Sequence, residues 1–97
     1  MSRIEDEQRI VRDLGIVQLG KLRANKHKPD WQAESVDDLF AFLLLEVEEL
    51  RAALLIGKRA HVALECADVA NFAAMLADRV SAEDCIVMGC PCRGATH

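Results

Sequence analysis

Positive charge, long apolar runs, proline, glycine and evenly spread cysteines are all scarce in this chain, and each scarcity excludes something. The net charge is −4, with positive residues mostly at 3–28 and negative ones mostly at 30–84. That leaves no basic surface for the backbone of a nucleic-acid polymer. The longest apolar stretch in the middle of the chain, Leu39 to Leu45, is too short to span a bilayer. The opening residues, Met1-Ser-Arg-Ile-Glu-Asp-Glu-Gln8, hold no apolar signal core, so the expected location is cytoplasmic, away from the membrane. Two prolines and five glycines, against 52% hydrophobic residues, suit a globular helical protein rather than a disordered one. Of the four cysteines, Cys66 falls in an apolar helical stretch, while Cys85, Cys90 and Cys92 crowd the last residues. A disulfide framework would distribute them along the chain. Cys90-Pro-Cys92 is not the usual zinc spacing, which makes a zinc site of Cys85, Cys90, Cys92 and His97 a weaker reading than reduced thiols on a frayed end.

What is present is helical periodicity in a single domain of 97 residues, with a core at about 4–88 and an irregular tail at 89–97. A domain of this size has a thin core and often gains burial by oligomerising. Ile10, Leu14 and Val17, with Val11 and Leu22 nearby, form the stripe of a first helix over 4–26. Gly15 and Gly20 interrupt it, as a bend, a close helix contact, or two tolerated glycines. Pro29 disfavours helix at Lys28, so 25–31 is a connecting loop. It carries the only tryptophan, Trp31, which either caps the core or faces a ligand. Ser35-Val-Asp-Asp38 is an N-cap pattern for a second helix that runs to Ile56, with Gly57 as its C′ residue. A third helix is expected over about 58–79. A short fourth starts at Ser81-Ala-Glu-Asp84, ends near Met88 and is stopped by Gly89.

The informative residues are acids in the wrong place. Glu46 and Glu49 share a face with Leu39, Phe42, Leu43, Leu50 and Ala53, whereas Glu48, Arg51 and Asp37 fall opposite. Glu65 and Asp68 likewise share a face with His61, Val69, Phe72, Met75 and Leu76. Each pair has i, i+3 spacing, which sets both side chains on one side of a helix. Ala63, Ala67, Ala70 and Ala74 line another face, where small side chains allow close packing. Two such helices packed antiparallel bring four carboxylates to one point. There they repel and resist desolvation, and a divalent cation is the simplest remedy. With no Glu-x-x-His in the chain, the di-iron bundle pattern does not apply. An all-oxygen donor set favours Mg²⁺, with Mn²⁺ possible, and Mg²⁺ is commonly shared between carboxylates and substrate phosphates. The bland alternative is two acid pairs making surface salt bridges.

Glu46-x-x-Glu49 followed by Glu65-x-x-Asp68 on the next helix resembles the all-α NTP pyrophosphohydrolases, the MazG-like group related to dimeric dUTPases and phosphoribosyl-ATP pyrophosphohydrolases. The run Lys21-Leu-Arg-Ala-Asn25-Lys-His27-Lys28-Pro-Asp-Trp31 is similar to the segment before the first acidic pair in small members, and Glu65-Cys-Ala-Asp68-Val-Ala-Asn71-Phe72 to their second acidic helix. The likeness covers residues of about 10–80. It implies a nucleoside triphosphate substrate, cleaved between the α- and β-phosphates to a monophosphate and pyrophosphate, in a house-cleaning role. It implies that Glu46, Glu49, Glu65 and Asp68 hold Mg²⁺ and form the catalytic centre. Lys21, Asn25, Lys28, Trp31, Asn71 and Arg79 are then substrate-binding, with Trp31 offering a stacking face and Lys58 a further candidate for phosphate. His61, one turn before Glu65, is read as a partly buried, satisfied histidine. Where some members carry an extra acid, this chain has Leu45.

The expected architecture is an all-α bundle of three long helices and a short fourth, assembled as a dimer or a dimer of dimers. Leu44, Leu45 and Leu55 extend the apolar surface of the second helix toward such a partner. The alternative function is a non-enzymatic helical module that dimerises or binds a regulatory partner.

Overall fold

In the computed structural model, which describes residues 2–25 and 31–88 with the backbone alone over 82–88, every regular element is helical. Helix α1 spans Arg3–Ala24, α2 spans Val36–Ile56, and α3 spans Arg59–Met88, with a 3₁₀ turn at Trp31–Ala33. The all-α class is therefore as the periodicity implies.

The helix ends follow local chemistry. Ser2 caps α1 by accepting from the Glu5 amide at 3.2 Å, with Glu5 and Asp6 in the first turn and Lys21 and Arg23 in the last. Acids at the amino end and bases at the carboxyl end both favour the helix dipole. Ser35 caps α2 by accepting from the Asp38 amide at 3.0 Å. Gly57 closes α2 in the left-handed region (φ 81°) and donates to Ala53 O at 3.0 Å, a conformation that costs other residues more.

One boundary is corrected. The expected third and fourth helices are one 30-residue helix, Arg59–Met88, and among the described residues there is no separate fourth helix. Val80-Ser-Ala-Glu-Asp84 contains neither proline nor glycine. A capping pattern without a breaker ahead of it can simply be absorbed into a helix whose backbone bonds are already being made. The 3₁₀ turn at Trp31 is a smaller departure, since the whole of 25–31 reads as loop. Gly89, Cys90, Cys92 and His97 lie outside the described residues, as do Lys28 and His27, so the zinc reading falls there too.

Helix α3 is the central element, with α1 and α2 both packed on it. The core is thin. Among the described residues the buried hydrophobics are Leu39, Ala53 and Ala67, and α1 buries none. Ala67 is wholly covered and Ala70 half-buried, whereas Ala63 and Ala74 are exposed, so only part of the alanine face serves close packing. Phe42 and Phe72 pair across α2 and α3 with ring centres 5.9 Å apart. On α1, Leu14, Val17 and Leu22 are half-buried, but Ile10 and Val11 stand out in solvent, because the packed part of the helix is its carboxyl half. Apolar side chains also remain exposed along α2, including Leu44, Leu45, Leu54 and Leu55.

One open sequence question closes here. A Cβ at Gly15 or Gly20 would meet nothing within 4 Å, so neither glycine serves a close contact within the chain. Gly15→Ala and Gly20→Ala are each expected to raise stability by about 1 kcal/mol, read by urea denaturation. A loss instead would mean that an assembled partner covers those positions. By length and composition alone Arg59–Ser81 is apolar enough to cross a bilayer, a stretch the sequence reading, which weighed only Leu39–Leu45, did not consider. The same stretch carries Glu65, Asp68 and Asn71, whose polar neighbours are on α1 and α2.

Candidate metal and nucleotide site

The four acids arrive from two helices. Glu46 and Glu49 are one turn apart on α2, and Glu65 and Asp68 one turn apart on α3. Carboxylate oxygens of Glu46, Glu49 and Glu65 all lie within 4.8 Å of one another. Asp68, expected as the fourth, is not in that group: it lines the same cavity but takes an ion pair from Lys21, with Nζ to Oδ2 at 3.3 Å. The surface salt-bridge alternative describes Glu48 instead, which pairs with Arg51 at 3.6 Å in open solvent.

The electrostatics show an unresolved cost. Glu46 Oε2 and Glu65 Oε2 are both covered from solvent and have no hydrogen-bond partner. A buried oxygen without a partner forfeits its hydration with no return. Burial, first, then hydrogen bonding with Glu49 and the charges of Glu49, Asp68 and Glu65 push the Glu46 carboxyl up to about 7 from an ordinary 4.5. Burial also raises Glu65, helped by the charges of Glu49 and Asp68 and opposed by Lys21. Two orphaned oxygens aimed into a knot of carboxylates fit a hard divalent cation, because it satisfies the lone pairs and removes the repulsion together.

These acids open into a cavity of about 1010 Å³ between α1, α2, α3 and the 3₁₀ turn. Lys21, Asn25, Trp31 and Asn71, four of the residues expected to bind substrate, line it together with the four acids. Leu39, Phe42, Phe72 and Met75 supply an apolar wall. Arg79 is not in that lining. Its Nε donates to Glu34 O at 3.1 Å and so ties the 3₁₀ segment to α3. Trp31 does the same from the other side, its Nε1 donating to Asp78 Oδ2 at 3.4 Å while the ring stays half-buried. Trp31 thus closes over the core and also faces the cavity. His61 is exposed, contrary to the partly buried histidine expected from its place on the acids' face. Lys58 is exposed just ahead of α3.

Asn71 is 4% exposed and engaged from both sides. Gln18 Nε2 donates to its Oδ1 at 3.1 Å, and its Nδ2 donates to Gln18 O at 3.1 Å. Gln18 with Asn71, and Lys21 with Asp68, are two cross-links one turn apart that hold α1 antiparallel to α3. Asn71→Ala is expected to destabilise the chain by about 1–3 kcal/mol in a thermal melt, since both Gln18 groups lose their partner. Gln18 is a residue that sequence reasoning missed. Its signal was spacing: Leu14, Gln18, Lys21 and Asn25 lie along one side of α1, and a glutamine there faces the neighbouring helix.

Comparison with protein-family models, with curated proteins and with solved structures finds no match to this chain.

Proposed function

We propose that this protein is a Mg²⁺-dependent nucleoside triphosphate pyrophosphohydrolase of the MazG-like kind, acting in the cytoplasm on surplus or non-preferred (d)NTPs. The observation that carries the reading is the meeting of Glu46, Glu49 and Glu65 oxygens within 4.8 Å, two of the acids presenting a covered, unpartnered oxygen. These three and Asp68 would hold the metal. Mg²⁺ held there would neutralise phosphate charge and lower the pKa of a water. One carboxylate of the four orients that water as general base. The water oxygen adds to the α-phosphorus, the bond to the α,β-bridging oxygen breaks, and pyrophosphate leaves. Trp31 and the Phe42–Phe72 wall offer apolar surface to a nucleobase, while Lys21 and Asn25 stand on the side of the cavity where phosphates meet the acids.

The exposed apolar residues of α2 support a homo-oligomer, as a dimer or dimer of dimers, in which a second copy covers them. They equally favour the second reading, a non-enzymatic helical module that binds a partner through α2. A panel of dNTPs and NTPs incubated with Mg²⁺ and analysed by mass spectrometry separates the two. A monophosphate plus pyrophosphate is expected from at least one nucleotide. No turnover, with no Mg²⁺-dependent rise in melting temperature, supports the binding module instead.

A further inference from the structure

We propose that Lys21 is an exchangeable counter-ion: its ammonium holds Asp68 in the cation-free chain, yields Asp68 to an arriving divalent cation, and then binds a phosphate of the substrate. This deepens the metal and nucleotide reading above and rests on it.

Two observations carry it. Lys21 Nζ stands 3.3 Å from Asp68 Oδ2, with the side chains 29% and 18% exposed, so the pair is partly covered rather than a loose surface contact. Five acids line the cavity with this lysine, Glu34 besides the four of the site, and among the described residues the wall holds no other lysine or arginine. A divalent cation among the same oxygens competes with the ammonium for one carboxylate, and the higher charge wins when the oxygens converge.

The release requires no movement of the helix. One turn before Lys21, Gln18 is fastened to Asn71 by two hydrogen bonds of 3.1 Å. These hold the α1 backbone against α3 whether or not the lysine is paired. Only the four-carbon stem swings, and it swings within a cavity shared with Asn25 and Trp31. Lysine suits this better than arginine, being a compact point charge on a flexible stem rather than a rigid fork. A phosphate drawn to the bound metal then meets a cation that was unavailable before the metal arrived, so nucleotide binding is ordered after metal binding.

The test uses the full chain with Mn²⁺ as the probe ion, free Mn²⁺ being read by electron paramagnetic resonance without nucleotide. Lys21→Met, which keeps the apolar stem, is expected to bind Mn²⁺ roughly three- to tenfold more tightly than wild type, since the competing charge is gone. Lys21→Arg, which keeps the charge, is expected to stay within about twofold of wild type. Inorganic pyrophosphate titrated calorimetrically onto the Mn²⁺-loaded proteins should then bind about fivefold or more weakly to Lys21→Met. A fixed strut gives the opposite pattern, with Mn²⁺ affinity unchanged or weakened in Lys21→Met and pyrophosphate binding unaltered, and that result overturns the proposal while leaving the metal site standing. Absence of Mn²⁺ binding in wild type overturns the functional reading and this inference with it. Should Lys21→Met fail to fold, Lys21→Gln carries the same comparisons.

Discussion

Glu49→Gln and Asp68→Asn are each expected to cut Mg²⁺-dependent pyrophosphate release by roughly 10²–10³-fold while leaving the helical fold intact. The two residues come from different helices that line one cavity, so a shared loss points to that cavity and not to damage in one element. Neither change creates a cavity or removes apolar burial. Glutamine at 49 relieves repulsion on Glu46 and Glu65, both of which feel the Glu49 charge. Asparagine at 68 loses the Lys21 pair and also one of the charges crowding Glu46. Stability near wild type with activity gone is therefore the expected combination, read by circular dichroism beside a pyrophosphate assay. Undiminished turnover in both variants would remove the catalytic role assigned to the cluster.

The second large effect concerns stability against pH. Without a cation, the folded Glu46 carboxyl keeps its proton up to about pH 7, whereas the ordinary value is 4.5. Between those limits the folded chain binds more protons than the unfolded one, so stability falls as pH rises. It is fully present below about 4.5 and lost through about 7, and Glu65 shifts in the same direction. Because Glu46 is only half-buried, solvent screening reduces the effect to about 1–2 kcal/mol. Urea melts in chelator at about pH 5 and about pH 8 should show that loss, and Glu46→Gln should flatten it. Mg²⁺ added at the higher pH should restore stability, by about 2.7 kcal/mol at a hundredfold excess over its dissociation constant. A cation-free chain that grows more stable from the lower pH to the higher would show that the carboxylates do not crowd one another.

Reading the chain residue by residue reaches some of this and misses the rest for identifiable reasons. The caps at Ser2 and Ser35 and the stop at Gly57 are local, so the α2 boundaries can be read from sequence to the residue. Glu46, Glu49, Glu65 and Asp68 are legible because charge on an apolar face is costly, and the cost shows in one helix at a time. The run through Ser81 is less legible, since a capping pattern has two outcomes and the presence of a breaker decides between them. Arg79 shares the acids' side of α3, yet its guanidinium meets the Glu34 carbonyl. That contact depends on where residues 31–34 return in space, and no periodicity of α3 contains it.

The chain alone determined that there would be helices, where most of them begin and end, and that acids would sit among leucines and phenylalanines. Those are consequences of hydrogen bonding and side-chain spacing within a few turns. Only the packed structure decided which acids meet, that Lys21 answers Asp68 while Gln18 answers Asn71, and which apolar residues α3 leaves uncovered. Such pairings depend on the register and angle between helices far apart in sequence, which the periodicity of one helix does not contain.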